Sequence, residues 1–198
     1  MADLFSQIQP VIVRIDITGA GFQGSGSGII IRGDGAIITN EHVIDSATSI
    51  AVTLSNNQQY QATVTASDTN VDLAILKLTS SPTNLPVATL GSTSDINVGG
   101  VVVAAGYPLG SELPGPASFS QGIVSAVRTL SSQRYIQTDV AINPGNSGGA
   151  LVNRSNAKVI GITNANVFNI SNPRQTVVGI GLAIPIDVVQ AFIQKNLK

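Results

Sequence analysis

The sequence contains no cysteine and a single histidine, and only 11% of its 198 residues are charged. The absence of cysteine excludes disulfide bonds, thiolate metal sites and a cysteine nucleophile. The net charge of -1 comes without a cluster of lysine and arginine, so the chain lacks the basic surface that binding to nucleic acid requires. We therefore expect no nucleic acid partner.

Long apolar runs are also absent. The most apolar segment extends from Val98 to Gly110, well short of the roughly 20 residues that a membrane-spanning helix needs. The first residues, MADLFSQIQP, lack the cationic and apolar regions of a secretory signal. The sequence offers no phosphate-binding lysine loop and no cluster of metal ligands. It predicts no membrane span, no signal peptide in this chain, no metal and no cofactor.

Glycine, with 20 residues, and short apolar runs between turn residues are abundant instead. Short strands joined by tight turns are typical of an all-β protein. The predicted strands are residues 11–17, 27–32, 36–40, 49–54, 60–66, 73–78, 101–106, 118–127, 135–139, 149–153, 158–163 and 177–184.

A connector that contains proline and serine, near residues 80–96, separates the strands into two groups of about six. This spacing predicts two antiparallel barrels or sandwiches, one over residues 1–90 and one over residues 91–198, with a cleft between them. The last segment, residues 187–197, has apolar residues at helical spacing, and we expect Asp187 to be the N-cap of a short C-terminal helix.

Ser147 stands between glycines in the sequence GNSGG, which begins at Gly145. Glycines on both sides of a serine allow a sharp turn in which N–H groups converge and a substrate carbonyl can approach the hydroxyl. Ser147 is therefore a candidate nucleophile, and the N–H groups of Gly145 and Ser147 are a candidate oxyanion hole. The alternative is a glycine-rich loop without chemistry.

A serine hydroxyl needs a neighbouring base, and His42 is the only imidazole in the chain. A catalytic histidine in turn needs an acceptor that orients it, usually a buried carboxylate. Asp72 is the best candidate because it introduces the apolar strand LAILKL, which pulls it towards the core. Asp45 and Asp68 fit local turns instead. Asp139, close to the serine in sequence, stays open as an alternative.

The candidates occur in the order His, Asp, Ser, which chymotrypsin-like proteases share and subtilisin and the α/β-hydrolases do not. The segments TNEHVI, DLAILKL, QGIVSAV, PGNSGGALV and VVGIGLAIPID resemble the protease domain of HtrA-type (high-temperature-requirement) enzymes, over roughly residues 5–190. The resemblance implies a chymotrypsin-like double six-stranded antiparallel β-barrel with His42, Asp72 and Ser147 in the cleft. It also implies endoproteolysis of unfolded or misfolded polypeptides without a cofactor.

The substrate preference that we expect follows from one difference from trypsin-like enzymes that cleave after basic residues. Six residues before the serine, where those enzymes have an acid, this chain has Ala141, followed by Ile142. We expect an apolar pocket that accepts small aliphatic side chains, with Thr163 and Asn164 on a neighbouring wall.

The resemblance carries expectations about assembly and location as well. Similar enzymes are commonly trimers held by aromatic residues near the N-terminus, which implies a homotrimer with Phe5 and Phe22 at subunit contacts; core packing is the alternative for both rings. It also favours an extracytoplasmic location. No PDZ domain is visible in the sequence. The rival function is a chaperone-like peptide-binding module with low or latent proteolysis. An esterase of the α/β-hydrolase type is disfavoured because the segment after GNSGG reads as a strand, whereas the serine elbow of those enzymes leads into a helix.

Overall fold

Strands make up most of the regular structure in the computed structural model, which describes residues 2–80, 82–130, 132–165 and 179–197. The strands are β1 Ile12–Thr18, β2 Gln23–Arg32, β3 Ala36–Thr39, β4 Ser49–Thr53, β5 Gln59–Asp68, β6 Leu73–Leu78, β7 Val101–Gly106, β8 Ser118–Leu130, β9 Gln133–Thr138, β10 Ala150–Asn153, β11 Val159–Asn164 and β12 Gly181–Pro185. The α-helices are α1 Ala2–Ile8, α2 Glu41–Ile44 and α3 Ile186–Asn196. The predicted all-β class is confirmed.

The strands close into two six-stranded barrels. The first barrel has the order β1-β2-β3-β6-β5-β4, and the second has the order β10-β11-β12-β9-β8-β7. Neighbouring strands are antiparallel throughout both barrels, as in the register that pairs Ile12 of β1 with Ile29 of β2. The double barrel implied by the family resemblance is thus confirmed. The predicted strand 177–184 begins outside the described residues, and residues 181–184 of its described part belong to β12.

The barrels are held together by strands that are apolar on both faces. Ile37 of β3 packs inside the first barrel, whereas its neighbour Ile38 packs in a cluster that includes Ile162 of the second barrel. All three side chains are fully buried. Because successive residues of a strand point to opposite faces, an unbroken apolar run such as AIIT is what a strand between two cores requires. This shared face fixes the cleft between the barrels.

The connector passes from one barrel to the other over a few residues. Ala88 N–H donates to Ile30 O of the first barrel, while Gly91 N–H donates to Val159 O of the second. Val159 N–H in turn donates to Thr89 O. The predicted division into residues 1–90 and 91–198 stays a prediction, and these bonds support it.

The C-terminal helix α3 begins one residue earlier than expected, and its N-cap is Pro185. The prediction of Asp187 as the N-cap is wrong, because Pro185 ends β12 in an extended conformation and the chain enters the helix directly from the strand. Asp187 lies in the first turn, where the helix dipole stabilises a negatively charged side chain. It accepts a hydrogen bond from Arg134 Nη1 at 2.9 Å. Val189 and Phe192 are buried under the helix.

Candidate active site

His42 and Asp72 are joined by their side chains at the edge of the first barrel. His42 lies in α2, which follows β3 after a single residue, and its Nδ1 is 2.8 Å from Asp72 Oδ2 and 3.0 Å from Oδ1. The backbone N–H of His42 donates to Asp72 Oδ1 at 2.9 Å. Because a carboxylate only accepts hydrogen bonds, Nδ1 carries the hydrogen, and Nε2 of the neutral ring keeps its lone pair. This is the tautomer of a general base.

The backbone of Asp72 is fixed in an unusual conformation. Its φ of +53° lies in the left-handed region, which aspartate tolerates better than most residues. Asn40 Nδ2 donates to Asp72 O at 2.9 Å, and β6 begins at the next residue. The carboxylate is therefore held by the turn on one side and by the start of a buried strand on the other.

The last residue of β11 and the residue after it bond to Asp72 and to the serine. Asn164 Nδ2 donates to Asp72 Oδ2 at 2.7 Å, and Ala165 N–H donates to Ser147 Oγ at 3.1 Å. The second barrel thus supplies both the serine and a donor to the carboxylate of the first barrel. His42 is thus bonded to Asp72, and Asp72 and Ser147 are bonded to two adjacent residues of the second barrel.

Asp139, which the sequence left open as an alternative, and the turn residues Asp68 and Asp45 have other hydrogen-bond partners. Asp139 Oδ1 accepts a hydrogen bond from Ile123 N–H at 2.7 Å, in the second barrel. Asp68 Oδ1 accepts one from Asn70 N–H at 2.9 Å, which confirms its predicted place in a local turn. Asp45 accepts one from the adjacent Ser46 hydroxyl.

The serine turn depends on its glycines. Gly145 and Gly148 have φ values of +92° and +82°, which side chains rarely allow. A Cβ atom on Gly148 would lie 2.1 Å from Ser27 O, and one on Gly145 would lie 2.4 Å from Tyr107 O. Neither position therefore accepts a larger residue without a shift of backbone.

The amides of this turn fall into two groups. The N–H groups of Asn146, Gly148 and Gly149 donate to backbone carbonyls. Within the described parts of the chain, the N–H groups of Gly145 and Ser147 have no acceptor. Buried N–H groups are rarely left unpaired, so a site that leaves two of them open is suited to bind an anionic oxygen.

Ser147 and His42 are not hydrogen-bonded to each other. The Ser147 side chain is buried, and among the residues that the structure describes, its hydroxyl oxygen has the Ala165 N–H as its partner. Catalytic hydrogen bonds are often absent or long before substrate binds.

Comparison with protein families matches residues 26–162 to the trypsin-like peptidase domain. The chain belongs to this family. It is 40% identical over 182 residues to the putative serine protease HhoA of Synechocystis sp., an alignment that covers 88% of this chain and 43% of that protein. It is 46% identical over 167 residues to a probable periplasmic serine endoprotease DegP-like of Halomonas elongata, with 82% and 33% covered.

Solved structures agree with this peptidase assignment. The HtrA-type protease AlgW with tripeptide has a TM-score of 0.85 and 34% identity, and the match covers 98% of this chain and 62% of that one. The serine endoprotease from Yersinia pestis has a TM-score of 0.83 and 34% identity, with 99% and 66% covered. The resemblance to HtrA-type proteases is confirmed. The chain spans less than half the length of the two curated relatives named above.

Two of the residues expected on a pocket wall are buried in this peptidase domain. Thr163 Oγ1 donates to Asn146 O at 2.6 Å, beneath the serine turn, and Asn164 donates to Asp72. Both side chains are less than 5% exposed. Their hydrogen bonds support the turn and the carboxylate, and their place on a specificity pocket stays a prediction.

The other two predicted pocket residues precede the serine turn of the peptidase domain. Ala141 is exposed and Ile142 is half-buried. Ile142 packs against Gly181, because a Cβ atom added to Gly181 would lie 2.6 Å from Ile142 Cδ1. Their role in specificity also stays a prediction, and residues 166–178 lie outside the described part of the chain.

Two ionisable groups near Asp72 have shifted pKa values. Burial raises the pKa of Glu41, and the charges of Asp45 and Asp72 raise it further. Burial likewise raises the pKa of Tyr135, with a second contribution from Asp72. Both groups are partly desolvated and lie near a carboxylate, and each of these effects disfavours a further negative charge.

Ser27 is a residue of the site that the sequence pattern did not single out. It is fully buried in β2, and its hydroxyl donates to Gly145 O at 2.7 Å. The available signal was a serine in the glycine-rich run GSGSG that leads into an apolar strand. A buried hydroxyl needs a partner, but the sequence does not say which one.

In the parts of the chain that the structure describes, no group of three or more His, Cys, Asp or Glu side chains could hold a metal ion. None of the described helices is both long and apolar enough to cross a membrane.

Proposed function

We propose that this chain is a serine endopeptidase in which Ser147 is the nucleophile, His42 the general base and Asp72 the residue that orients His42. The observation that carries the proposal is the pairing of His42 Nδ1 with the Asp72 carboxylate at 2.8 Å, in a trypsin-like peptidase domain. The N–H groups of Gly145 and Ser147, which have no acceptor among the described residues, support it. A structural histidine would not need a carboxylate that also accepts a hydrogen bond from Asn164 of the other barrel.

The proposed reaction begins with rotation of the Ser147 hydroxyl from Ala165 N–H to His42 Nε2. Ser147 Oγ then attacks the peptide carbonyl while Nε2 takes its proton, and the carbonyl oxygen becomes an oxyanion bound by the N–H groups of Gly145 and Ser147. His42 next gives the proton to the leaving amine as the C–N bond breaks. Water, activated by His42, hydrolyses the acyl-enzyme and restores the serine.

The substrates we propose are unfolded or misfolded polypeptides, with a small aliphatic side chain before the scissile bond. Ala141 and Ile142 supply no charge that would attract a basic side chain. A peptide panel with Ala, Val, Leu, Lys or Arg at that position is the direct measurement. We expect the aliphatic residues to give the highest kcat/KM, and a strong preference for Lys or Arg would contradict the pocket assignment.

We also propose a homotrimer and an extracytoplasmic location, which matches the word periplasmic in the names of several relatives. Phe5 packs edge-to-face on Phe119 of its own chain, with ring centroids 4.7 Å apart, which favours core packing for Phe5. Phe22 is 41% exposed and is the better candidate for a subunit contact. Light scattering that finds only monomer at micromolar concentration would remove the trimer.

The deciding experiment combines fluorophosphonate labelling with casein digestion, for the wild type and for Ser147→Ala. We expect the wild type to be labelled and to digest casein, and the variant to do neither. Equal labelling of both proteins would remove the nucleophile assignment. Labelling without digestion would favour the rival function, a chaperone-like binding module with latent proteolysis. The rival is worth testing because Ser147 Oγ accepts a hydrogen bond from Ala165 N–H.

A further inference from the structure

Ser27 binds two of the three central residues of the serine turn. Its hydroxyl donates to Gly145 O at 2.7 Å, and its backbone N–H donates to Ser147 O at 2.8 Å. Gly145 and Ser147 are the same two residues whose N–H groups have no acceptor among the described residues. A single residue of the first barrel therefore holds the carbonyls of both candidate oxyanion donors, which belong to the second barrel.

The Ser27 hydroxyl also accepts a hydrogen bond, from Tyr107 N–H at 2.8 Å. Tyr107 opens the loop after β7, and two residues later Leu109 N–H donates to Pro144 O at 2.9 Å. The Pro144 carbonyl shares its peptide plane with the Gly145 N–H, and in a trans peptide the two groups point in opposite directions. Leu109 thus sets the direction of the Gly145 N–H, and Ser27 ties the loop that carries Leu109 to the turn.

Gly145 has particular need of such support. Glycine has more conformational freedom than any other residue type, and Gly145 has a φ of +92°. Its N–H belongs to the peptide plane that precedes it, and rotation of that plane would turn the N–H away from the substrate oxygen. Ser27 holds the plane that follows Gly145, and Leu109 holds the plane that precedes it. An amide aimed in advance needs no rearrangement as negative charge develops, which is the basis of oxyanion stabilisation.

We infer that Ser27 is a positioning residue for the oxyanion hole: its buried hydroxyl keeps the Gly145 amide aimed at the reacting carbonyl by bridging Gly145 O and Tyr107 N–H. The inference rests on the proposed peptidase function of Gly145 and Ser147. It adds that the barrel bearing His42 and Asp72 also controls the geometry of the turn in the other barrel.

The test is Ser27→Ala, which removes the hydroxyl and keeps the backbone bond to Ser147 O. With a peptide substrate of the wild type, we expect kcat to fall about 10- to 100-fold and KM to change less than about twofold, since a misaimed donor affects the transition state. The inhibition constant of a peptide boronate, whose tetrahedral adduct occupies the oxyanion hole, should rise by the same factor as kcat/KM falls.

Thr138→Val is the matched control. The Thr138 hydroxyl is as buried as that of Ser27 and has the same pattern, because it donates to Ile123 O and accepts from Val140 N–H. Both variants should lose similar thermal stability, while only Ser27→Ala should lose kcat and boronate affinity. Equal kinetic losses in the two variants, or unchanged kcat in Ser27→Ala, would overturn the inference and leave the peptidase function standing.

Ser27→Cys covers the case in which Ser27→Ala does not fold. It keeps the side-chain shape with a weaker donor, so we expect a smaller loss in kcat, again matched by boronate affinity, and wild-type values for both would overturn the inference. Fluorophosphonate labelling of the wild type separates the two proposals. If Ser147 is not labelled, the peptidase function fails and the role of Ser27 fails with it.

Discussion

Asn164 Nδ2 lies 2.7 Å from Asp72 Oδ2, and this bond joins the last residue of β11 in the second barrel to the carboxylate of the first. Asp72 Oδ2 also faces His42 Nδ1, so one oxygen serves the histidine and the opposite barrel together. The orientation of the imidazole therefore depends on how the two barrels dock.

Replacing Asn164 tests this dependence. Asn164→Leu keeps a similar volume but removes the donor, so the carboxylate has one partner fewer and holds His42 less firmly. We expect kcat/KM for a peptide substrate to fall about tenfold. Asn153→Leu is the control, since Asn153 Nδ2 donates to Asp95 O elsewhere in the same barrel, and equal activity losses in both variants would contradict a role in the site.

Asp72→Asn tests the orienting carboxylate itself. Asparagine also tolerates the left-handed backbone at φ +53°, so the fold should survive. An amide nitrogen next to Nδ1 favours the wrong tautomer, and we expect kcat to fall on the order of 10⁴-fold. Asp68→Asn should leave kcat unchanged, because an asparagine still accepts from Asn70 N–H. A variant Asp72→Asn with wild-type kcat would remove Asp72 from the triad.

Gly148→Ala should destabilise the protein more than conformational strain alone explains. A Cβ atom at Gly148 meets Ser27 O at 2.1 Å in addition to the unfavourable φ of +82°. Gly99 has the same φ and no atom within 4 Å of its Cβ position. In urea denaturation we expect Gly99→Ala to lose about 1 kcal/mol and Gly148→Ala at least about 3 kcal/mol. Equal losses would mean that the turn can move away from Ser27.

Glu41→Gln should stabilise the protein at neutral pH. Burial raises the pKa of Glu41 in the folded state, so the unfolded chain releases this proton more readily. The free energy of unfolding is therefore lowered as the pH rises, and the full loss is reached above the folded-state pKa. The penalty disappears as the pH falls below the ordinary value of about 4.3. We expect a gain of about 0.5 kcal/mol or less at pH 7, discounted for solvent screening, and none at pH 3, measured by thermal unfolding. A gain that is the same at both pH values would contradict the cause.

Much of the candidate site could be predicted because its residues have strong local signals. Ser147 stands among glycines whose positive φ values the turn requires, and His42 is the only imidazole. Asp72 precedes a strand that is buried along almost its whole length. Each of these signals depends on neighbours within a few positions, which a single sequence contains in full.

The supporting residues could not be predicted in the same way. Ser27 bonds to Gly145 across 118 residues, and Asn164 bonds to Asp72 across 92 residues. Asn164 was expected on a pocket wall, which stays a prediction, and its hydrogen bond to Asp72 of the other barrel was not foreseen. The prediction of Asp187 as the N-cap was wrong because β12 runs directly into α3 at Pro185.

The sequence by itself determined that this protein folds from short strands into an all-β structure and that Ser147, His42 and an aspartate are its candidates for chemistry. Strand pattern and glycine placement are local properties, so they can be read along the chain. Only the tertiary structure decided which carboxylate meets the imidazole, which amides stay open and which hydroxyl holds the serine turn. A hydrogen bond between remote segments forms only when its donor and acceptor are placed to within a few tenths of an ångström, and the docking of the two barrels sets that placement.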